Sequence, residues 1–257
     1  MPTSAPAHAT EIAQAAVAEG ADLVIVLGGD GTINEAVNGL VHSPAALAIL
    51  PGGTANVLAM ELGIGSRLGR AIDRLADCVE RRIAVGRLCN KTSSRHFLAM
   101  AGAGLDAKIV YDLNPKLKAI AGKAGYWLGG FGHIGQRVVQ LEARVNGALY
   151  RCGFALVSRV RNYGGDLEIA RGASLLKNDF EVVLFEGSHP LRYLAYMMAV
   201  GLKQVQKMPG VHTIRAEHLE LSGSVPVQVD GEYAGRLPVC LEALPDALTL
   251  LMPPGYG

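Results

Sequence analysis

The chain has 257 residues, half of them hydrophobic, with 24 Lys and Arg against 23 Asp and Glu. So much apolar content excludes a disordered polyelectrolyte, and the near-zero net charge argues against nucleic acid as a partner. The length suits one large domain or two small ones, each with its own core.

Taken in chain order, residues 8–19 read as a helix ended by Gly20. Residues 21–27 form a continuous apolar strand that stops at Gly28-Gly29-Asp30-Gly31, and a second helix follows to about Leu40. Residues 46–50 are a short buried strand closed by Pro51-Gly52-Gly53. A third helix is expected from about Thr54 and a fourth over 66–80. Apolar strands alternating with helices indicate a parallel sheet covered on both faces.

After about residue 82 the rhythm changes. Residues 138–145 partly alternate, Asn146-Gly147 supplies a hairpin turn, and strand signals follow at 148–157, 179–185, 211–221, 225–229 and 247–252. Helical stretches near 116–134 and 190–206 interrupt them. The expected fold is therefore an α/β domain over 1–82 and an antiparallel β-rich domain over 83–257. Gly102-Ala103-Gly104 reads as a turn. It lacks the strand-to-helix context and downstream acid of a dinucleotide site.

Neither a signal peptide nor an apolar run long enough to span a bilayer is visible. Four scattered cysteines without CxxC spacing suit a reducing compartment. These features predict a cytoplasmic protein with at most peripheral membrane contact.

The chemistry concentrates in two glycine-rich strand-to-helix junctions. At 28–32, glycines let backbone N–H groups approach an anion, and the following helix start favours negative charge. Asp30 would repel a bare phosphate, so it reads either as acting through Mg²⁺ or on a hydroxyl, or as a cap on a tight turn. The second junction, 51–56, follows one strand–helix unit later, so both should open at the carboxyl edge of the sheet, where such folds bind ligands. Thr54 could cap its helix and offer a hydroxyl to a phosphate. Asn38 reads as a structural polar residue. Asp230-Gly231-Glu232 reads on its own as either a solvated hairpin tip or an acid/base pair.

GGDGTINEAVNGL (28–40) followed by LPGGTANVLAMELGI (50–64) resembles the paired signatures of diacylglycerol kinase catalytic domains, shared by sphingosine, ceramide and YegS-like lipid kinases. The likeness continues through 102–110, 114–127, 163–176 and 227–238. It implies a nucleotide-binding α/β domain followed by an antiparallel β domain, with the active site between them and the last strand returning to the first domain. It further implies an ATP-dependent lipid kinase using Mg²⁺. Gly29, Asp30, Gly31, Thr32, Ile33, Asn34, Glu35 and Thr54 would line ATP, with Thr3 ahead of the first helix. The general base would be Asp230 or Glu232, and Asp30 would order the metal. A run of lysines and apolar residues from Lys116 to Phe131 reads as either an interfacial helix or a packed helix with a solvated face. It is the expected rim for a membrane lipid; a homodimer is compatible with the same reading.

Members begin with a strand and an Asn-Pro-x-Ser-Gly loop that this sequence does not show. The reading therefore carries a truncated homologue without turnover as an alternative, and an NAD kinase-like enzyme as another. Members also hold a structural Mg²⁺ at an Asp-Asp-Gly, where this chain has Lys177-Asn178-Asp179, leaving Asp179 as the candidate ligand.

Overall fold

The computed structural model describes residues 1–90, 92–105, 138–164 and 167–257. The first part alternates α1 (His8–Ala18), β1 (Leu23–Gly28), α2 (Asp30–Leu40), β2 (Ala46–Pro51), α3 (Val57–Glu61) and α4 (Leu68–Leu75). Strands β1 and β2 are parallel, in register from Leu23↔Ala46 to Gly28↔Pro51. The register leaves Gly28 and Pro51 side by side at the carboxyl edge, so the two glycine turns leave the sheet together.

Then come β3 (Val79–Cys89), β4 (Ser94–Phe97), β5 (Met100–Gly104), β6 (Leu141–Val145), β7 (Ala148–Cys152), β8 (Phe154–Ser158), β9 (Asn162–Tyr163), β10 (Leu167–Glu168) and β11 (Phe180–Phe185). Helix α5 (Pro190–Gly201) precedes β12 (Val211–Ala216), β13 (His218–Ser222), β14 (Pro226–Val229), β15 (Glu232–Arg236) and β16 (Val239–Met252). One sheet runs β1-β2-β16-β13-β6-β7, with β3 paired to β16 and to β4. A second, antiparallel sheet runs β12-β11-β8-β5-β14-β15.

Strand β16 joins the two parts. Its first residues pair with β13 and its last with β2, while β3 runs along it from Cys89↔Cys240 to Val79↔Met252. The 82/83 boundary expected from the change of rhythm thus falls inside β3. The two parts therefore share one sheet.

The inner strands of the second sheet, β11, β8, β5 and β14, are buried on both faces, which explains their apolar runs. On β8, Ala155 and Val157 face the first sheet, whereas Phe154 and Leu156 join the core that also holds Val37, Ile49 and Leu58 from the first part. Two runs that read as single strands each split where the chain changes sheet. Residues 148–157 break at Gly153, and 211–221 break at Glu217. Such corners are how a sandwich closes, and the apolar pattern runs through them unchanged. The Gly102–Gly104 segment is part of the interior strand β5, paired to β8 and β14, and corrects the expectation of a turn there. The 247–252 signal is only the end of the 14-residue β16. No described helix is long and apolar enough to cross a membrane.

Candidate active site

The two glycine turns touch backbone to backbone. Gly52 N–H donates to Gly28 O at 2.8 Å, and a Cβ on Gly53 would stand 2.6 Å from Gly29 Cα. Asn56, in the left-handed region at φ 48°, closes the second turn. Its Oδ1 accepts from Gly53 N and its Nδ2 donates to Gly53 O, both at 2.8 Å. We expect Gly53→Ala to cost about 1–3 kcal/mol, because the new methyl meets main chain that cannot step aside. Chemical denaturation measures that loss.

Asp30 is the first residue of α2, beside this double turn. Burial pushes its carboxyl above the ordinary Asp range, and the N–H groups of Val57 and Leu58, with those of Asp30 and Asn56, pull it partly back. The first turn's acid therefore braces the start of α3. That role corrects the expectation that Thr54 caps the third helix. The helix begins three residues later, and Thr54 stands exposed at the turn.

Helical geometry divides the other residues expected along ATP. Gly29, Gly31 and Thr32 stay at the turn, with Thr32 lying over Gly28, where a Cβ would be 2.8 Å from Thr32 Cβ. Ile33 points the other way and is 3% exposed, inside the core. Glu35 accepts from Ala7 N at 2.9 Å and Ala9 N at 3.1 Å, so its carboxylate caps α1 instead of facing the turn. Thr3 lies in the exposed segment ahead of that cap.

Asn34 turns toward the second part. Its Nδ2 donates to His96 O at 3.0 Å and to Asp230 Oδ2 at 2.9 Å, and its Oδ1 accepts from Arg95 Nη2 at 2.8 Å. Asn38, on the next turn, exchanges hydrogen bonds with the His96 N–H and C=O, so both asparagines dock α2 on β4.

Asp230 and Gly231 form a two-residue hairpin turn between β14 and β15, with left-handed φ of 47° and 81°. The Asp230 carboxylate accepts from Leu98 N (2.9 Å), Ala99 N (3.0 Å), Met100 N (2.8 Å) and Asn34 Nδ2 (2.9 Å). Burial pushes its carboxyl up while these bonds oppose the shift. All four partners are donors, which is the environment of a carboxylate used as a clamp.

Glu232 behaves differently. Its Oε2 is paired with Arg95 Nη2, and its Oε1 lies against Gly31, where even a single Cβ would collide with it. The side chain is 40% exposed. An acid on the second part thus meets the glycine turn of the first, with one oxygen held by a cation and the other set against that turn.

Sequence reasoning misses Arg95, which joins Asn34 to Glu232 from a short strand without glycine or any local motif. It also misses Glu61, a buried acid on α3 that accepts from Arg161 N (2.9 Å), Arg161 Nε (3.0 Å) and Tyr256 Oη (3.0 Å), tying α3 to the second part. For both, the partners lie far away in the chain.

Asp179 is engaged by Arg215, whose Nε reaches Oδ2 at 2.9 Å and whose Nη2 reaches Oδ1. A guanidinium stands where the sequence suggested a metal, which corrects that expectation for this carboxylate. Among the described residues no three His, Cys, Asp or Glu side chains gather as a metal site. A Mg²⁺ that arrived on the phosphate oxygens of a nucleotide would need few protein ligands, commonly one or two carboxylates, and Asp30 stands at the start of α2 beside the two turns. The Lys116–Phe131 stretch lies outside the described residues.

Two family models cover nearly the whole chain: a diacylglycerol kinase catalytic domain over residues 1–88, and a YegS C-terminal NAD kinase beta sandwich-like domain over 99–252. A diacylglycerol kinase of Bacillus subtilis (strain 168) is 30% identical over 245 residues, spanning 92% of this chain and 79% of that protein. One from Staphylococcus saprophyticus is 29% identical over 248 residues, with 90% and 79% covered. The crystal structure of a diacylglycerol kinase from Bacillus anthracis str. Sterne superposes with a TM-score of 0.81 at 22% identity, covering 100% of this chain and 86% of that one.

Proposed function

Because the chain belongs to the diacylglycerol kinase catalytic-domain family and is a kinase, we propose that it transfers the γ-phosphate of ATP to a lipid hydroxyl. The observation that carries this reading is the contact of Glu232 with Gly31, an acid of the second part set against the phosphate-type turn of the first.

The nucleotide's phosphates lie along Gly29–Thr32 and Thr54, where the start of α2 favours negative charge. Mg²⁺, held on those phosphates with Asp30, would neutralise the charge that builds up on the transferred group. Glu232 Oε1 takes the proton of the lipid hydroxyl as its oxygen bonds to the γ-phosphorus. The bond from that phosphorus to the β,γ-bridging oxygen breaks, and ADP leaves. Arg95 holds and aims the Glu232 carboxylate, and Asp230 fixes the hairpin that carries it. The acceptor is diacylglycerol or a related lipid such as ceramide or a sphingoid base.

The test is a radiolabelled-ATP screen of diacylglycerol, ceramide, sphingosine and NAD. Labelled lipid is expected; label in NAD alone, or in nothing, overturns the reading. Asp30→Ala should lower turnover by about 10²–10³, the usual effect of removing one positioned charge from a transfer site, and should keep the fold while costing about 1–3 kcal/mol for the N–H groups it strands at the start of α3. Circular dichroism and the same assay check both halves of that statement.

A further inference from the structure

We propose that the outer face of α5 is the surface by which this protein seats itself on an anionic lipid bilayer. The proposal deepens the lipid-kinase reading and rests on it for its purpose, but the observation is independent.

The helix, PLRYLAYMMAVG, contains one charged residue in 12. Its inner side is fixed: Tyr193, Tyr196, Ala199 and Val200 are buried. Tyr193 Oη donates to Phe185 O at 2.9 Å, Tyr196 Oη to Pro209 O at 3.1 Å, and the Tyr196 ring meets Phe185 edge-on. The opposite side carries Leu191, Met198 and Leu202, exposed by 62%, 64% and 71%. Steps of seven and four residues place these three on one stripe. The single charge, Arg192, is bonded to the Pro209 carbonyl at 3.0 Å and stacked over Tyr196. A helix apolar on both sides is ordinarily covered on both.

Charge indicates the cover. Exposed Lys203 and Lys207 follow the stripe, and Arg171 bonds the Lys203 carbonyl at 3.4 Å; among the described residues Glu168 pairs with both Arg171 and Lys203. An apolar stripe ending in a cationic cluster is the pattern of a helix lying in the headgroup layer of anionic lipid. A second copy of the chain fits less well. Twelve helical residues present a strip of roughly 200 Å², far below the ~800 Å² per partner of a stable interface. Tyr196 of the helix meets Phe185, which stacks on Phe154 in the core that also holds residues of α2 and α3.

The experiment is co-sedimentation of the whole protein with vesicles of phosphatidylcholine mixed with phosphatidylserine, compared with phosphatidylcholine alone. Wild type should bind the anionic vesicles and release as salt rises. Leu191→Ser and Met198→Ser should each lower the partition coefficient about tenfold, the effect of losing one inserted side chain. Lys207→Ala should weaken binding to anionic vesicles only. Ile72→Ser, which removes an apolar residue on α4 that is 52% exposed, should bind like wild type. The proposal is overturned if wild type ignores anionic vesicles, if the α5 variants bind unchanged, or if size-exclusion chromatography shows that they dissociate a dimer. Activity on short-chain diacylglycerol dispersed in detergent should persist in the α5 variants. If even wild type lacks it while vesicle binding stands, the lipid-kinase reading fails and the docking surface does not.

Discussion

Glu232→Gln should leave a folded protein that binds ATP normally and transfers phosphate about 10²–10⁴ times more slowly, the usual contribution of a positioned general base. The amide keeps the size of the side chain and can still accept from Arg95, but it cannot take a proton. The ion pair it removes is half exposed, 27% on Arg95 and 40% on Glu232, so stability should change by less than about 1 kcal/mol. Single-turnover kinetics under saturating ATP read the chemical step directly. A rate within a few-fold of wild type would remove Glu232 from the mechanism.

Asp230→Asn should do nearly the reverse. Its carboxylate holds three backbone N–H groups and Asn34, and an amide in its place turns a donor toward donors. Stranding buried donors costs about 1–3 kcal/mol each, so a loss of roughly 3 kcal/mol is expected. Urea denaturation should show a lower midpoint for Asp230→Asn and an unchanged one for Glu232→Gln. Activity should fall in Asp230→Asn only as far as the hairpin carrying Glu232 loosens. A variant of full stability with no turnover would make Asp230 the base and Glu232 the support.

These two acids sit one residue apart, and their spacing offers no way to divide the labour between them. The division comes from what lies opposite each one. Asp230 meets the backbone of 98–100, about 130 positions earlier, and Glu232 meets Arg95 and Gly31. The same holds for Asp179, which looks like a ligand until Arg215 is found on it, and for Glu35, a helix cap that shares its stretch with the turn residues.

What the amino-acid sequence determined by itself was local: the apolar strands, the helices, the two glycine turns between them and the Asp-Gly hairpin. Each depends on neighbours within a few residues, through backbone sterics and the period of apolar side chains. Tertiary structure alone decided that Gly53 presses on Gly29, that the runs at 148–157 and 211–221 change sheets midway, and that β16 binds both parts into one sheet. It alone brought Arg95 between Asn34 and Glu232. Those outcomes depend on contacts between segments scores of residues apart, and no short pattern encodes them, because a buried charge or a packed glycine is selected by the surface that arrives against it.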